Sequence, residues 1–155
     1  MVDRVRLMLQ VLEKREQDAR RELARKAREV AAKQAKVASV DQWIDTVNRT
    51  MQETIEARYS GGPRTVAALI ESDNHAKALS SGSRQLRQVR AAAQQAVDEA
   101  IPQQKLAARD WQRSDARLDR MELLARKARI KRALKVSEAE DEAHSERRLP
   151  GGKSP

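Results

Sequence analysis

The sequence predicts an all-α fold: a long antiparallel two-helix coiled-coil hairpin with a short helix in the turn region. Three observations predict it. Apolar residues recur on alternating steps of three and four through the first sixty positions, and a glycine–proline break follows them. The aromatic residues are Trp43, Tyr59 and Trp111, with no phenylalanine, which is too little for a thick globular core. Charged residues make up 35% of the 155, and Ala, Arg, Gln, Glu, Lys and Leu dominate, all strong helix formers that suit long helices sharing a narrow seam.

The first helix is expected over residues 1–60. Steps of three and four from Val2 to Arg58 visit seventeen positions, of which twelve are apolar; the exceptions are Glu16, Lys26, Lys33, Thr54 and Arg58. No proline or glycine interrupts the run, so a single helix of about 85 Å follows from a rise of 1.5 Å per residue. A helix of this kind needs a partner seam to persist in water. Ser60-Gly61-Gly62-Pro63 ends it, with glycine suited to a left-handed cap and proline to the opening of the next helix.

A short helix is expected over 63–80, carrying Val66, Leu69, Ile70 and Leu79, before Ser80-Ser81-Gly82-Ser83 breaks the chain again. The second long helix is expected over 83–146. Its seam begins Leu86, Val89, Ala93, Ala96 and Ala100, meets a kink or register shift at Pro102, and resumes as Trp111, Ser114, Leu118, Met121, Ala125 and Ala128 after a stutter. Residues 147–155 are expected to form a disordered tail, which leaves a single α-helical domain over 1–146.

Charge is unevenly placed. Residues 1–36 carry +5 and residues 105–135 carry +7, whereas 37–104 carry −1 and 136–155 carry −2. Folding the chain back on itself brings the two basic arms together, giving an expected rod with one strongly basic end and a near-neutral turn. From Leu123 to Val136 there is no acid at all, so that segment calls for an external acidic partner. In the N-terminal arm, acids are interspersed with the bases and support helix faces paired along the chain.

Few residues suggest catalysis. With no cysteine, disulfides, thiolate metal sites and thiol catalysis are excluded, and a reducing cytoplasm fits. His75 and His144 fall in different expected elements, and neither a metal site nor a cofactor is expected. Gly151-Gly152-Lys153-Ser154 matches the close of a phosphate-binding loop, but Arg147 stands where the first glycine belongs and no strand precedes it, so it reads as coincidence. The Asn48-Arg49-Thr50 sequon lies mid-helix in a chain with no secretory signal and is discounted. No stretch approaches the roughly 18 apolar residues of a membrane span. The Glu and Asp residues read as solvated faces, because a two-helix rod offers no cleft to dry, and no enzyme activity or small-molecule substrate is expected.

What remains are surfaces. Trp43 and Tyr59 gather toward the turn with Val66, Leu69 and Ile70; the two aromatics read equally as an interface or as packing against the short middle helix. The basic clusters read as a protein-binding surface ahead of a grip on nucleic-acid phosphates. A third reading is a self-assembling scaffold of two chains paired in parallel.

The residues that remain carry a resemblance. Leu9-Gln10-Val11-Leu12-Glu13-Lys14-Arg15-Glu16, Trp111 followed by Arg117-Leu118, the basic run 126–132 and the acidic stretch Glu138–Glu142 together resemble the FliJ and SctO (YscO, HrpO) family, the stalk proteins of flagellar and injectisome type III secretion. The likeness spans nearly the whole chain; the Pro102 kink and the Gly-Gly-Lys-Ser-Pro tail have no counterpart in it. It implies a cytoplasmic protein, peripheral at the inner-membrane export apparatus, whose partners are a hexameric export ATPase, an export gate protein and secretion chaperones. The ATPase contact implied for this chain falls on Arg4, Arg6, Lys14, Arg15, Arg126, Lys127, Arg129 and Lys131, and the gate or chaperone contact on Trp43, Tyr59, Val66, Leu69 and Ile70.

Overall fold

In the computed structural model the described residues are 2–62 and 64–148, with side chains from 4 to 147. They form two long α-helices packed against each other: α1, Val2–Ser60, and α2, Val66–Arg148. Of the expected tail 147–155, Arg147 and Arg148 are still helical; the rest of it, 149–155, lies outside the described residues.

The packed helices divide into two units, Glu22–Ala108 and Met1–Arg21 with Arg109–Pro155. In the first, the contacts run antiparallel. Lys26 hydrogen-bonds Gln103 at 2.7 Å, Asp41 accepts from Arg90 at 2.5 Å, and Arg58 stands 3.8 Å from Asp73, so the partner retreats along α2 as α1 advances. In the second, Trp111 reaches Glu16 at 2.8 Å while Val5 and Leu9 share a groove with Ala125 and Ala128, which is again antiparallel.

On α1, each of the fifteen step positions from Val5 to Thr54 is sheltered or half-sheltered, as the spacing predicts; only Arg58, the last, is exposed. The polar exceptions all have partners. Glu16 accepts from Trp111, Lys26 bonds Gln103, Lys33 and Lys26 flank Glu29 at 3.2 and 3.5 Å, and Thr54 donates back to the Thr50 carbonyl. A polar residue with one geometric partner tolerates fewer registers than an apolar one, so the two pairs that cross between helices, Glu16 with Trp111 and Lys26 with Gln103, fix which α2 residue meets which α1 residue. The Glu29 carboxyl is held below its ordinary value, first by the Lys33 hydrogen bond and then by the Lys26 and Lys33 charges.

Three expectations for the second half of the chain are corrected. The first concerns the short helix over 63–80, which is not separate: α2 runs unbroken through Ser80-Ser81-Gly82-Ser83. An isolated helical glycine costs only about 1 kcal/mol, and here Ser83, 6% exposed, lies in the seam between the half-sheltered Leu79 and Leu86, so packing overrides the local signal.

The second concerns the seam itself. The sheltered positions step 72, 76, 79, 83, 86, 90, 93, 97, 100, 104, 107, 111, 114, 118, 121, 125, threes and fours without a stutter. The seam takes Arg90 and Val97 where the apolar count favours Val89 and Ala96; Arg90 belongs because its guanidinium meets Asp41 across the helices. Pro102 falls on the exposed face, so its ring does not disturb the packing and the register passes it unchanged.

The third concerns the connection. Among the described residues no glycine has positive φ. Instead Arg64 folds back and donates to the Ala57 carbonyl at 2.5 Å, satisfying one of the orphan acceptors at the end of α1. Gly61 makes room for this, since a Cβ there would lie 2.7 Å from the guanidinium. The helix α2 opens at Val66 rather than directly after proline 63, with the Thr65 hydroxyl accepting from the Ala68 amide as an N-cap.

The core is thin. Its most sheltered members are Val30, Val37 and Val40 of α1 and Ala93, Val97, Ala100 and Ala107 of α2, and among the described residues no large side chain is completely buried. Ala93, Ala100 and Ala107, with Ser114, recur every seven residues along one edge of the α2 seam. Small residues at that spacing let two backbones approach closely.

Candidate interaction surfaces

The unit formed by Met1–Arg21 and Arg109–Pro155 holds all eight of the basic residues singled out for a partner contact, and all eight side chains are exposed. Among the described residues none of the eight joins an ion pair within the chain. This contrasts with Arg25, Lys33, Lys77 and Arg90, whose charges are matched by Glu22, Glu29, Asp73 and Asp41. The Glu22 and Asp73 carboxyls are accordingly held below their ordinary values, chiefly by hydrogen bonds from Arg25 and Lys77.

Where the two helices meet near Val5, the seam opens into a groove of about 400 Å³ lined by Val5, Arg6, Leu9, Ala125, Ala128, Arg129 and Arg132. Its cause is local: α2 presents two alanines opposite Val5 and Leu9, and the volume that larger side chains would fill stays open. A smaller groove of about 230 Å³ continues beside it, lined by Leu9, Glu122, Ala125, Arg126 and Arg129. Of the eight basic residues, Arg6, Arg126 and Arg129 line these grooves. Arg15 borders a separate apolar hollow with Leu7, Met8, Val11 and Leu12, while Arg4, Lys14, Lys127 and Lys131 line none of the three.

The residues that sequence reasoning missed are of two kinds. Arg132 joins Arg6 and Arg129 in the larger groove; it is the step of four after Ala128, so extending the seam by one position finds it. Leu7, Met8 and Val11 on α1, and Leu123, Leu124, Ile130, Leu134 and Val136 on α2, are each more than half exposed. All of them lie off the seam positions, and reading the apolar residues that the heptad leaves over would have marked them.

In the Glu22–Ala108 unit, Trp43 is 62% exposed and Tyr59 84%, and Val66, Leu69 and Ile70 are also exposed. Packing against a middle helix, the alternative that the sequence left open, is not what they do. Val66, Leu69 and Ile70 share one face of the opening turns of α2 by their i, i+3, i+4 spacing. Trp43 does not join Tyr59, from which it is separated by about 24 Å along α1 at 1.5 Å per residue.

Among the described residues no group of three or more His, Cys, Asp or Glu side chains is placed to hold a metal ion. His75 and His144, expected in different elements, both lie on α2, though in different units. No helix among the described residues is long and apolar enough to cross a membrane. The fold and these surfaces define a class: a two-helix protein with shallow basic grooves and exposed apolar patches. Comparison with known proteins finds no matching family model, no similar curated protein and no similar solved structure.

Proposed function

We propose that this chain is a type III secretion stalk protein of the FliJ and SctO kind, a coiled-coil hairpin with no active site of its own. It inserts its paired basic segments into a hexameric export ATPase and couples that ring to the export gate, with the exposed Trp43, Tyr59, Val66, Leu69 and Ile70 available to gate or chaperone. One observation carries the reading. Residues from both ends of the described chain share one unit, and their eight singled-out cations are exposed and, among the described residues, join no ion pair. Unmatched cations of this density favour a partner surface lined by carboxylates, whose field steers association.

The test is a pull-down with the export ATPase of the same host. The chain should retain the ATPase, and R126E/K127E/R129E/K131E should lose it with unchanged helical circular dichroism, because all four side chains are exposed. Undiminished retention by the variant removes the electrostatic argument.

A second reading, a basic coiled coil gripping nucleic-acid backbones, draws on the acid-free run Leu123–Val136 with its six cations. It predicts binding to random duplexes that weakens steeply with salt. The stalk reading predicts little binding at physiological salt.

A further inference from the structure

Beyond Ala125, every described side chain of α2 is exposed, from Arg126 to Arg147. This stretch is ordered by charge into three blocks. Arg126–Arg132 carries five cations and no acid, Ala133–Val136 carries one cation, Lys135, beside the exposed Leu134 and Val136, and Glu138–Glu146 carries five acids and no lysine or arginine. Among the described residues, no side chain of either charged block joins an ion pair.

The two blocks complement each other but cannot meet within one molecule. Their centres are thirteen residues apart on a continuous helix, about 20 Å at 1.5 Å per residue. We infer that this segment of α2 pairs antiparallel with the same segment of a second copy, so that the acidic block of each chain lies along the basic groove of the other.

The geometry is self-consistent. A two-fold axis near Lys135 and Val136 superposes basic block on acidic block twice over, which is the isologous arrangement a closed dimer requires. The same axis puts Val136, otherwise left in water, near the centre of the contact, on the helix face that carries Ala139 and Ala143. It also lays Ala139 and Ala143, which share one helical face, along the groove floored by Val5, Leu9, Ala125 and Ala128, with Arg6, Arg129 and Arg132 in reach of the flanking glutamates. Exposed ion pairs contribute little individually, so the association is weak. The contact covers Arg126 and Arg129, so the paired form hides part of the surface assigned above to a partner. The pairing itself does not rest on that assignment.

The experiment is sedimentation equilibrium of the full chain with two reciprocal variants, R129E/R132E and E142R/E146R. At low salt the parent should show a monomer–dimer equilibrium that fades between roughly 0.05 and roughly 0.5 M salt as the Debye length shrinks. Each variant alone should stay monomeric, because its altered side chains then face the same sign on the other copy and the altered block falls from five net charges to one, and an equimolar mixture of the two should recover the dimer. Because every altered side chain is exposed, unchanged circular dichroism is expected throughout. A parent that is monomeric at low salt, a dimer that persists in both variants, or a mixture that fails to re-pair would each overturn the inference.

Discussion

The Trp111 indole nitrogen donates to the Glu16 carboxylate at 2.8 Å, joining the two helices between residues 95 positions apart. Both occupy seam positions, and both are half-sheltered. A hydrogen bond to a charged acceptor at such a place is worth more than a solvated surface pair, and it admits only one register. Replacing Glu16 by Ala should lower unfolding stability by about 1 kcal/mol, the cost of an indole donor left to find water. In a Trp43→Phe background Trp111 is the sole indole, so its fluorescence in a urea titration reads this directly. A midpoint unmoved by Glu16→Ala would show that the bond contributes nothing to pairing.

Ala100 is 3% exposed and lies one heptad from Ala93 and from Ala107. Leucine is more apolar than alanine and nearly as good a helix former, so a count of seam hydrophobicity favours Ala100→Leu. The enclosure of Ala100 argues the reverse: a branched side chain added where the methyl group is already shut off from water forces strain of about 1–3 kcal/mol. Thermal melting decides between them, and a higher melting temperature would mean that the seam has slack at this layer.

The acid limb of the stability profile should be shallow and traceable. Glu29 and Glu22 titrate below their ordinary 4.5 and Asp73 below its ordinary 3.8. A carboxyl whose folded value lies below its unfolded one contributes stability that is complete above the unfolded value and is lost as pH falls through the folded one. Stability should therefore be level near neutrality and decline below about pH 4.5, slowly, because these groups face solvent and are screened. Glu29→Gln should flatten the glutamate part of that decline. Denaturant midpoints measured from pH 7 to pH 3 would contradict this if parent and variant fell in parallel.

Much of this fold is written in spacing. The steps that place Val30, Val37 and Val40 on one face of α1 also shelter them, since a helix buries whatever recurs at its own period. The second helix is less legible for two physical reasons. Ser80-Ser81-Gly82-Ser83 is a turn signal by local propensity, yet Leu79, Ser83 and Leu86 pack into the seam, and tertiary packing outweighs a few tenths of a kcal/mol per serine. Arg90 reads as a surface residue until its partner is known, and Asp41 lies 49 positions away. The eight basic residues are exposed, as their place in charged runs leads one to expect. The groove that Arg132 shares with Arg6 was not legible, because it comes from the small volume of Ala125 and Ala128 opposite Val5 and Leu9.

Two positions hold α2 below the stability that its packing allows. Pro102 lies inside the helix on the exposed face, where its ring removes the amide that would bond the Asp98 carbonyl. Gly82 lies inside it too, and a Cβ added there would meet nothing within 4 Å. Interior proline costs about 3 kcal/mol and interior glycine up to about 1 kcal/mol relative to alanine. Neither residue carries a seam contact that alanine would lose. Pro102→Ala should therefore raise stability by about 1–3 kcal/mol and Gly82→Ala by about 0.5–1 kcal/mol. At this chain length each kcal/mol appears as roughly 2–4 °C in melting temperature. Twenty residues separate the sites, about 30 Å along the helix, so the double variant should show the sum of the two gains. A loss of stability in Pro102→Ala would mean that the seam depends on a bend imposed by the proline, in contradiction to the unbroken steps of three and four that carry it from Ala100 through Gln104 to Ala107.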